Sequence, residues 1–559
     1  MKEKYIELME RTLSAYSKSH IQKYFEEVER EGLTEHGFPR LISNIGILIA
    51  HGKRSDLLTL FLKMMDFCTK TIPNVKAAND FSVREIVSCI KEVEKSGIIS
   101  KEKNIEWKTN ISKINPHECY NIFATLPTDK VKNWALFSAV SEFFRQKMNH
   151  CNSQDFIDIQ LATQLQWLDE NGMYMDADGD THHPIMYDLV ARGLFALILN
   201  EGYRGRYYKA IDDALRRAGL LTLEMQSVNG EMAFGGRSNQ FIHNEAWLAC
   251  VYEYEAKRYF NEGNLELAGR FKAAIKNALE VTERWLSLNP IYHIKNRFPL
   301  ETKHGCEGYA YFDKYMITVA SNLHAAYQIC DDTIPLYEES PNKASVFATS
   351  KHFHKIFMKG REYSLEFDID ADPHYDANGL GRIHKAGAPA AICLSLPCPA
   401  EPMYSISIDK SAPLSLCPGI LSSGKWEFAC VPEIKYELVD LLCDENYAYA
   451  ELHSSFRNEK SVTSKYKVTD EGVQIDVYGE GDIAYMLPAF QFDGEEYTEI
   501  NLCENVLSIS YKGWLCSYFV DGAKISDMGK LSANRNGLYK TYAAIGKNSL
   551  KILVKIKKT

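Results

Sequence analysis

The spacing of apolar residues divides the chain into a helical first half and a strand-rich second half. From the start to about Cys330, apolar residues recur at steps of three and four, as expected of helices that bury one face. The clearest set is Val131, Trp134, Phe137, Val140 and Phe144. Similar stripes cover 185–199, 241–259, 265–288 and 311–329. The succession predicts antiparallel helical pairs that close into a ring.

After the turn-rich segment 331–345 the apolar period changes to two, which is typical of strands with one buried face. The alternating sets are Tyr404, Ile406 and Ile408; Val473, Ile475 and Val477; and Leu550, Ile552, Val554 and Ile556. The expected fold class is therefore α+β multidomain, an N-terminal (α/α) toroid of helical hairpins followed by a C-terminal antiparallel β-sandwich. The predicted domains are a catalytic toroid over 1–335 and a β-sheet or sandwich domain over 346–559.

The composition narrows the range of partners. The 559 residues are 45% hydrophobic and 25% charged, and the formal net charge is -10. No overall basic field is present to hold a polyphosphate backbone. No window approaches the ~18 uninterrupted apolar residues of a membrane span. We therefore expect neither a nucleic-acid nor a membrane partner, while a homo-oligomer stays open.

The cysteines and the N-terminus suggest an intracellular protein. Residues 1–20 alternate charged and apolar residues at helical spacing, without the apolar region and cleavage site of a signal peptide. Fourteen cysteines are scattered without a CxxC pair or zinc-like spacing. Reduced thiols in a cytoplasm are the simplest account. Neither a cofactor nor a catalytic metal is expected, although His374 and His384 are of the type that could hold a structural ion.

The first segment with candidate chemistry is 174–193. Its acidic residues at 176–180 resemble a calcium loop only superficially, because the terminal bidentate Glu and the spacing of that motif are missing. A turn that presents polar side chains is the favoured interpretation. We expect His183, Tyr187 and Asp188, at the mouth of the following helix, to face a cavity and bind substrate.

The second segment is 230–255, where two consecutive glycines permit a tight turn before a helix. Ser238 or Asn239 is predicted to cap that helix. Asn239 and His243 are four residues apart, so on a helix they would share one face. The strip is completed by Arg237 and Trp247. An amide, an imidazole, a guanidinium and a ring together suit a sugar carboxylate, although a cap and a core histidine remain the alternative.

Two further segments carry polar clusters. In 303–316, Glu307 and Tyr309 lie on a glycine-bearing loop, and Tyr315 lies on the helix that follows. In 368–397, a glycine-bearing stretch precedes an apolar strand. That stretch concentrates the basic and imidazole groups of Arg382, His384 and Lys385, which are candidates for substrate binding and catalysis.

In these segments the chain resembles a bacterial family called domain of unknown function 2264, some of whose relatives are classed as glycoside hydrolase family 154, the β-glucuronidases. The resemblance rests on four features: the Tyr-x-Asp, polar turn and Tyr before a helix; GRS at 236–238; EGY at 307–309 followed by Tyr315; and the stretch from HFHKIF to YSLEF. It implies a helical toroid with a β domain and action on a glucuronic acid.

In architecture the chain also resembles the heparinase II/III and alginate lyase group. Those enzymes use an Asn, a His and a Tyr from the toroid, and a His from the β domain. The resemblance implies catalytic roles for Asn239, His243, Tyr309 or Tyr315, and His384. The compact Asn-Asn-His run of those lyases is absent, because residues 240–242 separate Asn239 from His243.

Both resemblances point to cleavage of an acidic oligosaccharide, and two mechanisms are open. In β-elimination, Asn239, Arg237 or a protonated histidine would neutralise the uronate carboxylate. A base such as His243 or a tyrosinate would remove the C5 proton, and Tyr309 or Tyr315 would protonate the leaving oxygen. Hydrolysis instead needs two carboxyl groups, for which the candidates are Asp188, Glu245 and Glu307. We expect elimination, with a β-glucuronidase-type hydrolase as the alternative and a non-catalytic sugar-binding protein as the third option.

Overall fold

The computed structural model describes residues 1–125, 133–148, 151–176, 182–337, 344–457 and 459–559. Val131, Asp178 and Asp180, which the sequence singles out, lie outside these ranges. Fourteen α-helices are present in the described part of the chain. They are α1 (Lys2–Ser14), α2 (Lys18–Glu31), α3 (Gly37–Ala50), α4 (Leu58–Thr71), α5 (Asn79–Ser96), α6 (Lys101–Ser112), α7 (Pro116–Cys119), α8 (Trp134–Lys147), α9 (Gln154–Leu165), α10 (Ile185–Asn200), α11 (Tyr208–Met225), α12 (His243–Asn261), α13 (Leu265–Leu286) and α14 (Phe312–Ile329).

Six helices form a closed inner ring. Contacts run from α3 to α5, α8, α10, α12 and α14, and α14 returns to α3. The other long helices pack outside: α4 on α3, α6 on α5, α9 on α8, α11 on α10, α13 on α12, α1 on α14, and α2 on α4. This arrangement is the (α/α) toroid that the sequence predicts.

Burial follows from the position of a helix in the ring. The inner helix α3 is buried continuously from Gly37 to Ile49, and its sequence is correspondingly apolar on nearly all sides. The outer helix α2 buries only Ile21, Phe25 and Val28, which lie four and three residues apart on one face. The apolar stripes therefore separate helices with two packed sides from those with one.

Fourteen strands are present in the described part of the second half. They are β1 (Ser345–Ala348), β2 (Lys355–Lys359), β3 (Tyr363–Asp368), β4 (Gly379–Lys385), β5 (Pro418–Ser422), β6 (Lys425–Phe428), β7 (Lys435–Cys443), β8 (Ala448–Ser455), β9 (Ser461–Thr469), β10 (Gly472–Phe492), β11 (Glu499–Cys503), β12 (Val506–Tyr511), β13 (Trp514–Asn534) and β14 (Gly537–Lys558). The last helix ends at Ile329 and β1 begins at Ser345. The domain boundaries at 335 and 346 stay a prediction.

The strands form two antiparallel sheets. The smaller sheet has the order β1-β2-β3-β4, and the larger follows the path β11-β12-β13-β14-β10-β9-β8-β7, with β5 and β6 attached through β10. The small sheet packs on β7, β8 and β9 of the large one. Phe367 meets Tyr466 edge to face across this interface, with ring centroids 4.8 Å apart. The predicted β-sandwich is therefore confirmed.

Two of the three alternating apolar sets lie in strands, and the third does not. Val473, Ile475 and Val477 on β10 pair with Val554, Ile552 and Leu550 on β14, and all six are buried. Residues 404–408, in contrast, lie in a loop. That loop runs beside 304–306 of the toroid, where Gly305 N donates to Ser405 O at 2.7 Å and Ser405 N donates to Cys306 O at 3.0 Å. The alternation there reflects this docking rather than a sheet.

The cysteines are mostly packing groups. All fourteen fall within the described residues, and none of them forms a disulfide. Only Cys443 and Cys503 are exposed. Burial raises the pKa of Cys306 to about 12, so that thiol stays protonated. Among the described helices, none is long and apolar enough to cross a membrane.

A buried histidine in the ring makes stability depend on pH. His324 on α14 is 2% exposed, and its Nε2 has no hydrogen-bond partner in the described part of the chain. Burial, followed by the charge of Arg84, lowers the pKa of His324 to about 3. In an unfolded chain a histidine titrates near pH ~6.5. As the pH falls below that value, the unfolded state takes up a proton that the folded state refuses, and stability is lost.

We expect His324→Leu to reduce this loss. Between about pH 7.5 and about pH 5.5, one such histidine removes about 1.4 kcal/mol from the free energy of unfolding. The variant should therefore lose about 1.4 kcal/mol less than the parent protein over that interval. Urea unfolding of both proteins at the two pH values measures the difference. Equal losses in the two proteins would contradict the expectation.

Candidate functional site

A cavity of about 490 Å³ lies where the first turns of the six inner helices converge. We call it the central cavity. Each of the six inner helices contributes to the cavity wall from its N-terminal part. One wall residue per helix, in chain order, gives Arg40, Phe81, Trp134, Tyr187, His243 and Tyr315. The loops before α10, α12 and α14 close it further through Asp176, Arg237 and Tyr309.

The charge of the central cavity favours an anion. The N-terminus of a helix carries a partial positive charge, and six of them point toward this space. The wall also holds Arg40, which pairs with Glu85 at 3.0 Å, and Lys314, which pairs with Glu35 at 3.7 Å. Of the described wall residues, only Asp176 brings a carboxylate. A negatively charged group on a ligand would therefore be stabilised here.

The turn before α12 is held in an unusual backbone conformation. Gly235 and Gly236 have φ values of 145° and 72°, and the non-glycine residues Ser238 and Gln240 have 62° and 65°. Left-handed non-glycine residues cost roughly 1–3 kcal/mol each and persist where the surroundings fix them. Ser238 N donates to a Glu307 carboxylate oxygen at 2.7 Å. Such strain is common at binding sites.

Ser238 joins two tyrosines of the central cavity. Its hydroxyl lies 2.9 Å from the hydroxyl of Tyr309 and 3.4 Å from that of Tyr187. The guanidinium of Arg237 lies over the ring of Tyr187, 5.0 Å from its centroid. Burial, followed by the charge of Glu307, raises the pKa of Tyr309. The phenol is therefore protonated at neutral pH and can act as a proton donor.

His243 is the first residue of α12 and presents an imidazole to the same space. Its ring stacks on Phe241 at 5.5 Å and lies 5.6 Å from the ring of Tyr315. Its Nδ1 is buried without a hydrogen-bond partner in the described structure. Burial, followed by the charge of Arg40, lowers the pKa of His243 to about 3. The imidazole is therefore neutral and can accept a proton.

Trp247 lies one turn further along α12 and also reaches the cavity. It is fitted against α10 at Gly193. A Cβ added at Gly193 would lie 2.6 Å from the indole nitrogen, so only glycine leaves room for the ring. Arg237, His243 and Trp247 of the predicted strip therefore line one cavity, while their role toward a substrate stays a prediction.

Asn239 is a correction to the predicted strip. The helix begins at His243 with Ile242 as its N-cap, and no side chain caps it. Asn239 therefore precedes the helix, and the four-residue spacing does not place it on the same face as His243. Its amide instead donates to Ala233 O at 3.1 Å and accepts from Gln240 at 2.7 Å.

The three carboxylates that are candidates for hydrolysis also lie outside the cavity wall. Each is buried against a cation: Asp188 with Arg192, at 2.5 and 2.9 Å; Glu245 with Lys295; and Glu307 with Arg535, at 2.7 and 3.0 Å. A loop or first-turn position, which suggested a cavity from the sequence, is equally compatible with an interior ion pair. His183, which was also expected to face the cavity, does not line it, and its ring lies 5.9 Å from that of Phe353.

Two of the three candidates in the β half, Arg382 and His384, contact the toroid. Arg382 and His384 alternate with Ile383 on β4, so they point to one side, toward the loop that precedes α12. The guanidinium of Arg382 donates to Met232 O at 2.8 Å, and Nδ1 of His384 lies 3.0 Å from the hydroxyl of Ser227. Lys385 points the other way and pairs with Glu362. None of the three lines the central cavity.

The sequence missed contributions from α3, α5 and α8. Arg40, Phe81 and Trp134 all lie in the first turn of an inner helix, as do the predicted Tyr187 and His243. That shared position is the signal that could have found them. Within the described residues, no group of three or more His, Cys, Asp or Glu side chains is arranged to hold a metal ion.

No family model matches the chain, and no curated protein matches it. Among solved structures, a mutant form of the chondroitin AC lyase of Streptomyces coelicolor A3 is similar over 98% of this chain and 82% of that chain, with 12% identity and a TM-score of 0.48. The same lyase in complex with chondroitin sulphate gives 10% identity and a TM-score of 0.44, with the same coverage. Heparinase III is similar over 85% of this chain and 77% of that chain, with 9% identity and a TM-score of 0.37. At these identities and TM-scores, the similarities establish no activity for this chain.

Proposed function

We propose that the protein cleaves a uronic-acid-containing oligosaccharide by β-elimination in the central cavity. The observation that carries the proposal is that Arg237, His243 and Tyr309 line one cavity. They supply a cation, a neutral imidazole and a protonated phenol, which are the three groups that elimination needs.

The first requirement is to make the C5 proton acidic. A uronate carboxylate opposes the negative charge that develops when this proton leaves, so its own charge must be balanced. Arg237 and the N-termini of the inner helices provide that balance in the central cavity. This step accounts for an acidic rather than a neutral substrate.

The second requirement is a base. His243 is neutral, and its imidazole contacts rings rather than hydrogen-bonding groups. A carboxylate bound nearby would raise the pKa of the imidazole, because an opposite charge favours its protonated form. The substrate itself would thus make His243 a stronger base when it is needed.

The third requirement is an acid for the leaving oxygen. As the C5–H bond breaks, the electron pair forms the C4–C5 double bond and the C4–O bond breaks. Tyr309 gives its proton to the departing oxygen. His243 then releases to solvent the proton that it took from C5, and the Tyr309 phenolate takes up a proton from solvent. The contact of Tyr309 with Ser238 at 2.9 Å fixes the position of the phenol.

Hydrolysis has weaker support from the same cavity. It needs one carboxyl group as an acid and a second as a nucleophile or base. Asp188, Glu245 and Glu307 are each engaged by a buried cation, and of the described wall residues only Asp176 is a carboxylate. The geometry therefore favours elimination over the glucuronidase alternative.

We expect uronic-acid oligosaccharides incubated with the protein to gain the ultraviolet absorbance of a 4,5-unsaturated uronate, together with one new reducing end for each bond cleaved. Tyr309→Phe should slow both signals about 10²- to 10⁴-fold, because it removes the proton donor. Tyr311→Phe is the matched control, since Tyr311 is 45% exposed and its hydroxyl donates to Glu35. New reducing ends without the absorbance would overturn elimination in favour of hydrolysis.

A further inference from the structure

A second cavity, of about 420 Å³, lies between the toroid and the β-sandwich. Its toroid wall comes from the C-terminal end of α13 and the loop 295–297, and its other wall comes from the loop 387–391 and the β12–β13 turn. The strained turn before α12 borders both cavities, because Ser238 lines the central one and Gln240 lines the second. The same turn therefore contributes residues to the walls of both cavities.

Two tryptophans line the second cavity from opposite halves of the molecule. Trp285 belongs to α13 and Trp514 begins β13, and both are half-buried. The indole nitrogen of Trp285 is buried without a hydrogen-bond partner in the described structure. An indole offers a broad apolar face and one donor, which suits a ligand with an apolar ring face and polar edges.

The wall also carries buried polar atoms that accept no hydrogen bond from the described chain. Glu231 is 2% exposed, and one of its carboxylate oxygens accepts no hydrogen bond, although Lys295 Nζ lies 3.7 Å from it. The amide oxygen of Gln240, also 2% exposed, likewise has no donor. Buried acceptors of this kind are costly unless a donor reaches them. Hydroxyl groups of a ligand would satisfy them.

One cation at the mouth of the cavity has no ion pair with a described residue. Arg284 is this exposed cation, whereas Arg297 and Lys512 are paired with Asp493, Glu495 and Glu496. Burial raises the pKa of Glu231, but Lys295 and other cations, among them Arg284, outweigh it and lower the value to about 2. One cation at the rim is thus available, beside an ionised acceptor in the wall.

We propose that the second cavity binds an anionic saccharide, that is, a sugar ring bearing a carboxylate. The ring would lie against Trp285 and Trp514, its hydroxyls would donate to Glu231 and Gln240, and its carboxylate would meet Arg284. This binding goes beyond cleavage in the central cavity and does not depend on it.

Calorimetric titration with glucuronate tests the proposal. Each cavity that binds the sugar contributes its own binding event, and Arg284→Gln should remove or weaken one of them about ten- to a hundredfold, because a charge-assisted hydrogen bond is lost. Arg206→Gln is the matched control, since Arg206 is an exposed arginine that lines neither cavity. Glucose, which lacks the carboxylate, should bind the second cavity at least about tenfold more weakly than glucuronate.

Crystals soaked in glucuronate should show the ring between Trp285 and Trp514. Density in the central cavity alone, or equal titrations for Arg284→Gln and the parent protein, would overturn the second site. Glucose binding as tightly as glucuronate would overturn its anionic character. Because these readouts measure binding, they stand whether or not the central cavity cleaves its substrate.

Discussion

A His243→Ala variant is expected to cleave a uronic-acid oligosaccharide about 10²- to 10⁴-fold more slowly than the parent protein. The substitution removes the imidazole that is proposed to take the C5 proton. Among the described residues of the central cavity, His243 is the only histidine whose ring contacts both Tyr315 and Phe241. It leaves Arg237 and Tyr309 in place, so the carboxylate can still bind. The loss should therefore appear in kcat more than in KM.

The unsaturated-uronate absorbance, followed at several substrate concentrations, measures this split. The imidazole packs against two rings, so thermal unfolding of the variant must be compared with that of the parent protein. His374→Ala is the control, because His374 lies on an exposed loop and its Nδ1 contacts Glu401 O at 3.1 Å. Full activity in His243→Ala would show that another group removes the C5 proton.

Much of the fold could be predicted because each half has its own apolar period. The stripes at 185–199 and 311–329 match α10 and α14 to within one residue at each end, since a helix in the ring must bury a recurring face. What a stripe cannot reveal is the partner against which it packs. The closure of the ring between α14 and α3 brings together segments far apart in the sequence, and local spacing carries no record of it.

The lining of the central cavity was predictable where loops lead directly into inner helices. Tyr187, Arg237, His243, Tyr309 and Tyr315 were all predicted, and all line the central cavity. Each lies just before or within the first turn of an inner helix. In a toroid those turns converge, so the position along the chain already implied a shared space.

The expectation that a residue faces the central cavity was wrong where its side chain has a distant partner. Glu307 lies on the same loop as Tyr309, yet its carboxylate is taken by Arg535, 228 residues later in the chain. Asn239 failed for a local reason, because the positive φ of Ser238 and Gln240 breaks the helical spacing that the prediction assumed. The spacing of apolar residues reveals neither a remote ion pair nor a residue in the left-handed conformation.

A buried ion pair joins Arg535 of the β-sandwich to Glu307 of the toroid. Arg535 lies in the turn between β13 and β14, is fully buried, and donates to both oxygens of Glu307 and to Gly305 O. We expect Arg535→Gln to lower the free energy of unfolding by about 3–5 kcal/mol, because it leaves a buried carboxylate without its cation. Urea unfolding measures the loss. Arg216→Gln, which breaks an exposed pair with Glu262, should cost no more than about 1 kcal/mol.

A double variant separates the charge from the packing. Glu307→Gln together with Arg535→Gln leaves no unpaired charge, so its loss should be smaller than that of Arg535→Gln alone. Activity should not recover in parallel, because the Glu307 carboxylate also accepts from Ser238 N and so positions the hydroxyl that contacts Tyr309. A double variant as unstable as Arg535→Gln would mean that the arginine acts through packing. Full cleavage by it would mean that Tyr309 needs no support from the β-sandwich.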